Sequence, residues 1–195
     1  MGKIVLFMGP SSSGKNIIKS RLIKDNKFAL KEMIMSTTRP KRTGEVEGRE
    51  YYFKTVEEML ELEKEGKIIE RRTYDTAYGP WHYFTTSSSI DLENYNYIGD
   101  NTLEGLDQFV KFYGIENIIS ILIKVDDGIR LQRALDREKR EKTPKYQELC
   151  RRFLADSVDF SEENISKRPI TSIIYNNSSL DNTMQEVEKV LKLNL

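Results

Sequence analysis

Gly9-Pro10-Ser11-Ser12-Ser13-Gly14-Lys15 has the spacing G-x-x-x-x-G-K. In such a loop the glycines let successive backbone N–H groups turn inward around a polyphosphate, and the lysine ammonium reaches its outer oxygens. Before it runs an apolar, β-branched stretch, Lys3 to Met8; after it Ile17, Ile18, Leu22 and Ile23 recur at helical spacing. The loop therefore falls between a buried strand and a helix N-terminus, where aligned peptide dipoles favour an anion. Asn16 stands where this motif takes Ser or Thr, so a carbonyl oxygen rather than a hydroxyl is the candidate Mg²⁺ ligand.

Two further clusters carry charge chemistry. Ser36, Arg39, Arg42 and Tyr51 lie in one polar, turn-rich segment, and two guanidinium forks with two hydroxyls can close around a second phosphate. Taken alone, that segment also reads as a solvated basic turn. Downstream, Arg130, Arg133, Arg137, Arg140, Arg151 and Arg152 fall in a helical stretch, with Arg133 and Arg137 one turn apart on one face. A cationic face over two phosphates is what phosphoryl transfer needs, since charge spreads over the transferred group. Asp136, Glu138, Glu141 and Glu148 can neutralise such a face, and for Arg130 and Arg140 the expectation is an ordinary charged helix.

Together these segments resemble guanylate kinase: the loop from Gly9 to Lys15, Ser36-Thr37-Thr38-Arg39 with Arg42, Gly44-Glu45, Gly48 and Tyr51, then Ile68-Ile69-Glu70 with Tyr78-Gly79, and finally Tyr175-Asn176-Asn177. The resemblance covers essentially the whole chain. It implies that Gly9, Ser11, Ser12, Ser13, Gly14, Lys15 and Asn16 hold ATP, helped by Arg133 and by Asn176 or its neighbour. It implies that Ser36, Arg39, Arg42, Tyr51 and Tyr78 hold the GMP phosphate, and that Glu70 with Thr102 reads guanine. Lys15, Arg42, Arg137 and Arg152 become the residues on the transferring phosphoryl, with Mg²⁺ on the ATP phosphates. A buried Glu70 carboxylate suits the N1–H and 2-amino donors of guanine, whereas adenine would leave it desolvated and unpaired, at a cost of about 1 to 3 kcal/mol. Departures from the family pattern are Asn16, Thr102 where a second aspartate is usual after Asp100, and a Glu70-to-Tyr78 spacing one residue short. They keep two alternatives in view: a catalytically weak nucleotide- or protein-binding module, and a kinase for another monophosphate such as dGMP, IMP or UMP.

The elements that must position these groups alternate. Strands are expected over 1–8, 33–35, 51–53, 96–98, 117–125 and 171–175; helices over 16–26, 56–65, 103–113, 130–160 (broken near Thr143-Pro144) and 183–193. That order gives an α/β fold: a P-loop NTPase-type parallel sheet with helices on both faces, an inserted GMP-binding subdomain and a helical lid. The expected boundaries are core 1–35, 95–128 and 160–195, insertion about 36–94 and lid about 129–159. At 195 residues the chain can bury a single core. With 31 basic and 31 acidic residues no global field draws it to nucleic acid or membrane. One cysteine, Cys150, excludes an internal disulfide, and one histidine, His82, makes a Cys/His zinc site improbable. A first strand leaves no signal peptide, and Leu6 stands where a myristoylation signal needs Ser or Thr, so the expected compartment is the cytoplasm. The expected partners are ATP and GMP, as monomer or homodimer.

Overall fold

A computed structural model describes residues 2–76 and 78–195; Met1, which the expected first strand includes, lies outside them. Strand β1 (Ile4–Met8) is buried throughout, with Ile4, Leu6 and Met8 in one apolar cluster and Val5 and Phe7 in another. A strand buried on both faces reads as an unbroken apolar run rather than an alternating one. It forms the middle of a five-stranded sheet with β2 (Leu30–Glu32), β7 (Asn96–Asp100), β8 (Ile118–Lys124) and β9 (Ser172–Tyr175), in the order β2-β7-β1-β8-β9. Every neighbouring pair is parallel.

Helices cover both faces. Ile18 and Leu22 of α1 (Lys15–Asp25) and Met184, Val187 and Leu191 of α7 (Leu180–Asn194) join the cluster around Val5 and Phe7. Leu106 and Phe109 of α3 (Leu103–Tyr113) join the opposite cluster around Leu6. The expected α3 coincides with the observed one, and Thr102 caps it by accepting from the Gly105 N–H at 3.0 Å.

Between β2 and β7 the chain builds a second sheet, ordered β4-β3-β6-β5, from β3 (Ser36–Thr37), β4 (Tyr52–Phe53), β5 (Ile68–Thr76) and β6 (Gly79–Thr86). Helix α2 (Val56–Lys64) opens on a reciprocal capping box between Thr55 and Glu58. Expected strand fragments in this stretch turn out to include a long antiparallel hairpin, in which Glu70 pairs with Thr85, Arg72 with Tyr83 and Tyr74 with Trp81. The short strand expected at 33–35 lies three residues earlier, at β2. The charged helical region divides into α4 (Asp127–Glu138) and α5 (Tyr146–Asp159), as the Pro144 break implies, followed by a one-turn α6 (Glu162–Ser166) that the sequence pattern does not announce. No helix among the described residues is long and apolar enough to cross a membrane.

Candidate active site

The loop between β1 and α1 owes its shape to backbone that glycine alone adopts freely. Gly9 has φ 138° and Gly14 φ 96°; a Cβ on Gly14 would collide with the Asn176 amide, and one on Gly9 with the Ile123 carbonyl. Ser12 also sits in the left-handed region at φ 64°, and its hydroxyl is buried with no hydrogen-bond partner among the described residues. Lys15 folds back over this loop, donating to the carbonyl of Gly9, to that of Pro10 at 3.0 Å and to Ser13 Oγ at 3.5 Å. Burial lowers its pKa to about 8 against the opposing fields of Asp100 and Asp156.

A cavity of about 580 Å³ opens over the loop. It brings together Ser11 to Asn16 with Arg133, Arg137, Arg152 and Asn176, all expected at one site, and Gly9 lies at the root of the same loop. Arg140, expected on an ordinary charged face, lines it too. Asn176 is committed to holding the loop: its Nδ2 donates to the Ser13 carbonyl at 2.8 Å and its Oδ1 accepts from Thr183 Oγ1 at 3.0 Å. Arg133 Nη2 donates to the Asn176 carbonyl at 3.0 Å, tying α4 to the turn after β9.

Helix α5 leans on the loop. Asp156 Oδ2 accepts from the Ser11 N–H at 2.8 Å, and Arg152 Nη2 donates to Ser11 Oγ at 3.0 Å. Behind them Arg130, expected to be solvated, is only 2% exposed. Its Nη2 pairs with Asp127 at 2.8 Å, its Nη1 lies 3.6 Å from Asp156, and its guanidinium stacks 3.8 Å from the Phe153 ring centroid. A guanidinium loses its hydration cheaply against an aromatic face, and two carboxylates compensate its charge. Asp127 is a neighbour on α4, but Phe153 and Asp156 come from α5, so no pattern local to α4 reveals the burial.

A second cavity, about 710 Å³, lies between the hairpin face and α5. Of the residues expected on an acceptor phosphate, Arg42 and Tyr51 line it, joined by Arg72, Tyr74, Trp81 and Tyr83, which the sequence reasoning did not single out. Their signal was alternation: Glu70, Arg72 and Tyr74 at i, i+2, i+4 share one strand face. Tyr83 meets Tyr51 and Tyr74 edge to face, each at 5.6 Å between ring centroids. Glu70 does not itself line the cavity: it is 1% exposed behind Arg72, accepting from Thr85 Oγ1 at 2.9 Å and from Arg72 Nε at 3.2 Å. Ser36 is buried in β3. Arg39 is 3% exposed and held by Glu45 through two bonds of 2.7 and 3.1 Å, which keep the Glu45 carboxyl below its usual range.

Of the expected acceptor-site residues, Ser36, Arg39, Glu70, Tyr78 and Thr102 are not among those lining this cavity. Tyr78 is 87% exposed at the hairpin tip, stacked on Trp81 with ring centroids 6.3 Å apart. Thr102 spends its hydroxyl on the α3 cap and lines a different, smaller cavity with Asp159 and Arg168. Arg152 is shared: it lines both the loop cavity and the hairpin cavity.

The chain superposes on the crystal structure of a guanylate kinase from Anaplasma phagocytophilum with a TM-score of 0.67, over 98% of this chain and 85% of that one, at 19% identity, a likeness of fold. A guanylate kinase of Mycoplasma mobile is 31% identical over 88% of this chain and 96% of its own length. One from Streptococcus agalactiae is 30% identical over 66% of this chain and 55% of its own. The sequence model of the guanylate kinase family matches residues 1–194. With a phosphate loop, a second polar cavity and an arginine common to both, the chain belongs to the guanylate kinase family.

Proposed function

We propose that the chain carries out the reaction of its family, ATP + GMP to ADP + GDP, with the loop cavity as donor site and the hairpin cavity as acceptor site. The observation that carries this assignment is Arg152, a wall of both cavities and hydrogen-bonded to the loop. A transferring phosphoryl must pass between two bound nucleotides, and a guanidinium common to both sites neutralises charge along that path.

In this reading Lys15 and the loop amides hold the β and γ phosphates, and Ser12 Oγ gains the partner it lacks. Arg42 and Tyr51 hold the acceptor phosphate, with Ser36, Arg39 and Tyr78 completing the set if the insertion closes. An ionised phosphate oxygen of GMP attacks directly, so no general base is required; positioning and charge neutralisation are the work. Arg137 and Arg152 lie on the lid, residues 129–159, whose closure excludes water as a competing acceptor.

A hard divalent cation fits the residues present. Asp100 has Oδ1 buried without a hydrogen-bond partner among the described residues and Oδ2 on Lys19 at 2.6 Å, while Asn16 offers an amide carbonyl in the first turn of α1. No group of three or more Asp, Glu, His or Cys clusters among the described residues, which suits an ion that takes most of its ligands from phosphate and water. Bound there, Mg²⁺ neutralises charge on the ATP phosphates. We place the reaction in the cytoplasm, where both nucleotides are found.

The test is ADP production with ATP and Mg²⁺, comparing GMP, dGMP, AMP, UMP, CMP and no acceptor, with Lys15→Met alongside. Turnover chiefly with GMP, abolished in Lys15→Met, is expected. Wild-type-like activity in that variant would overturn the donor site, and no turnover with any acceptor would overturn the reaction.

A further inference from the structure

We propose that Arg72 is a specificity-determining residue of the acceptor site, donating to the 6-oxo group of the purine while Glu70 accepts from its N1–H and 2-amino groups. The inference rests on the reading of the hairpin cavity as the guanine site. It starts from the strand face: Glu70 and Arg72 point to the same side of β5, cross-strand from Thr85 and Tyr83. Arg72 lines the cavity, its side chain a quarter exposed, and is paired with the buried Glu70 carboxylate, which does not itself line it.

The guanidinium spends only one edge on its neighbours. Nε donates to Glu70 Oε2 at 3.2 Å, and Nη2 lies at a long 3.5 Å from both Glu70 Oε1 and Met35 Sδ. Among the described residues Nη1 has no partner. A pair serving stability alone gains most from the parallel two-bond fork of arginine on carboxylate. Here the side-on fork of Nε and Nη2 on the two carboxylate oxygens is long, at 3.2 and 3.5 Å, and the unused Nη1 belongs to a side chain that lines the cavity next to the buried carboxylate.

A carboxylate acceptor next to an unused donor matches one purine edge. Guanine presents its 2-amino and N1–H donors followed by the O6 acceptor, with N7 beyond, and arginine on O6 and N7 is the commonest specific contact to guanine. Adenine presents the reverse at the two discriminating positions: a lone pair at N1 against Glu70, and an amino donor at C6 against Arg72. Arg72 thus adds repulsion to what a lone carboxylate would register only as a missing bond. Hypoxanthine keeps both N1–H and O6 and loses one bond.

The test measures kcat/KM of the full chain and of Arg72→Met for GMP, IMP, AMP and the 6-thio analogue of GMP. The analogue keeps N1–H and the 2-amino group but offers sulfur, a weak acceptor, at position 6. Methionine retains the stem that packs near Met35. Direct reading of O6 predicts a fall of about ten- to a hundredfold for GMP and IMP, mostly in KM, the equivalent of one good bidentate contact. The 6-thio analogue should fall far less, so its disadvantage against GMP narrows, and AMP should not fall. A parallel loss for GMP and the 6-thio analogue overturns the inference, because Arg72 would then act only by holding Glu70. Should Arg72→Met fail to fold, Arg72→Lys carries the test: charge is kept beside Glu70 with one donor in place of the fork, and an unchanged ratio of GMP to its 6-thio analogue overturns the inference. No GMP turnover and no thermal stabilisation by GMP in the unaltered chain would instead overturn the acceptor-site reading, and the inference with it.

Discussion

Raising the pH should disarm the donor site well before it harms the rest of the protein. Burial lowers Lys15 from 10.5 to about 8, so in the free protein the ammonium is lost across a range where the arginines stay charged. Because kcat/KM for ATP reports ionisations of the free protein, it should fall with a midpoint near pH 8 and by about tenfold per pH unit beyond. On the proposed function, bound ATP would place anionic oxygens beside the ammonium and raise its pKa, so kcat at saturating ATP should hold to higher pH. The same shift has a sign for stability. The unfolded chain holds this proton up to about 10.5 while the folded chain loses it near 8, so unfolded binds more protons between these values and stability rises with pH there. Below pH 8 the charged, buried lysine costs about 3 kcal/mol, the gap in pKa at 1.36 kcal/mol per unit. Lys15→Met should therefore melt no lower than the parent at pH 7 while showing no turnover. The assay is ADP formation at saturating GMP from pH 6.5 to 10, with Lys15→Arg as control: whatever activity the arginine keeps should be flat across the range. A flat kcat/KM for ATP in the parent, or the same midpoint in Lys15→Arg, would refute the reasoning.

Two other substitutions probe the supports of the loop. Asn176→Ala removes the buried amide that joins Ser13 to Thr183, taking the Nδ2 donor from the Ser13 carbonyl while Thr183 Oγ1 keeps the Ser179 carbonyl at 3.2 Å. It should lower stability by about 1 to 3 kcal/mol and raise KM for ATP more than KM for GMP, read by denaturant unfolding and steady-state kinetics. Asp156→Ala frees the Ser11 N–H and withdraws a field that raises Lys15, so the midpoint of the ATP profile should move below pH 8 as the melting temperature drops. An unmoved midpoint would show that Asp156 does not act on Lys15.

The loop, both faces of the parallel sheet and α3 were legible because local pattern and burial agree there. An unbroken apolar strand, two glycines at fixed spacing and a Thr102 cap each state their structure within a few residues. The β5–β6 hairpin was harder because neither face is apolar along its length. Ile69 and Phe84 are buried near the base, but the cavity face carries Glu70, Arg72, Tyr74, Trp81 and Tyr83, so hydrophobic alternation gives a weak strand signal. Arg130 was misread for a related reason: its environment is completed by α5, across the fold. Family resemblance drew attention to Tyr78 and Thr102, while geometry brings forward Tyr83 and Arg72 beside Tyr51 and Glu70.

The clamp on the phosphate loop also bears on the order in which the protein is made. Asn176 lies 163 residues after the Ser13 carbonyl that it grips, and it is placed by β9, the edge strand that pairs with β8. Domains emerge from the ribosome in chain order, at about 5 to 20 residues per second, so the loop exists for many seconds before its fastener. Until β9 docks, a nascent chain has a glycine-rich segment with nothing to fix its carbonyls, and nucleotide cannot reward its folding early. Acquisition of ATP binding during synthesis thus marks the docking of β9 rather than the appearance of the loop.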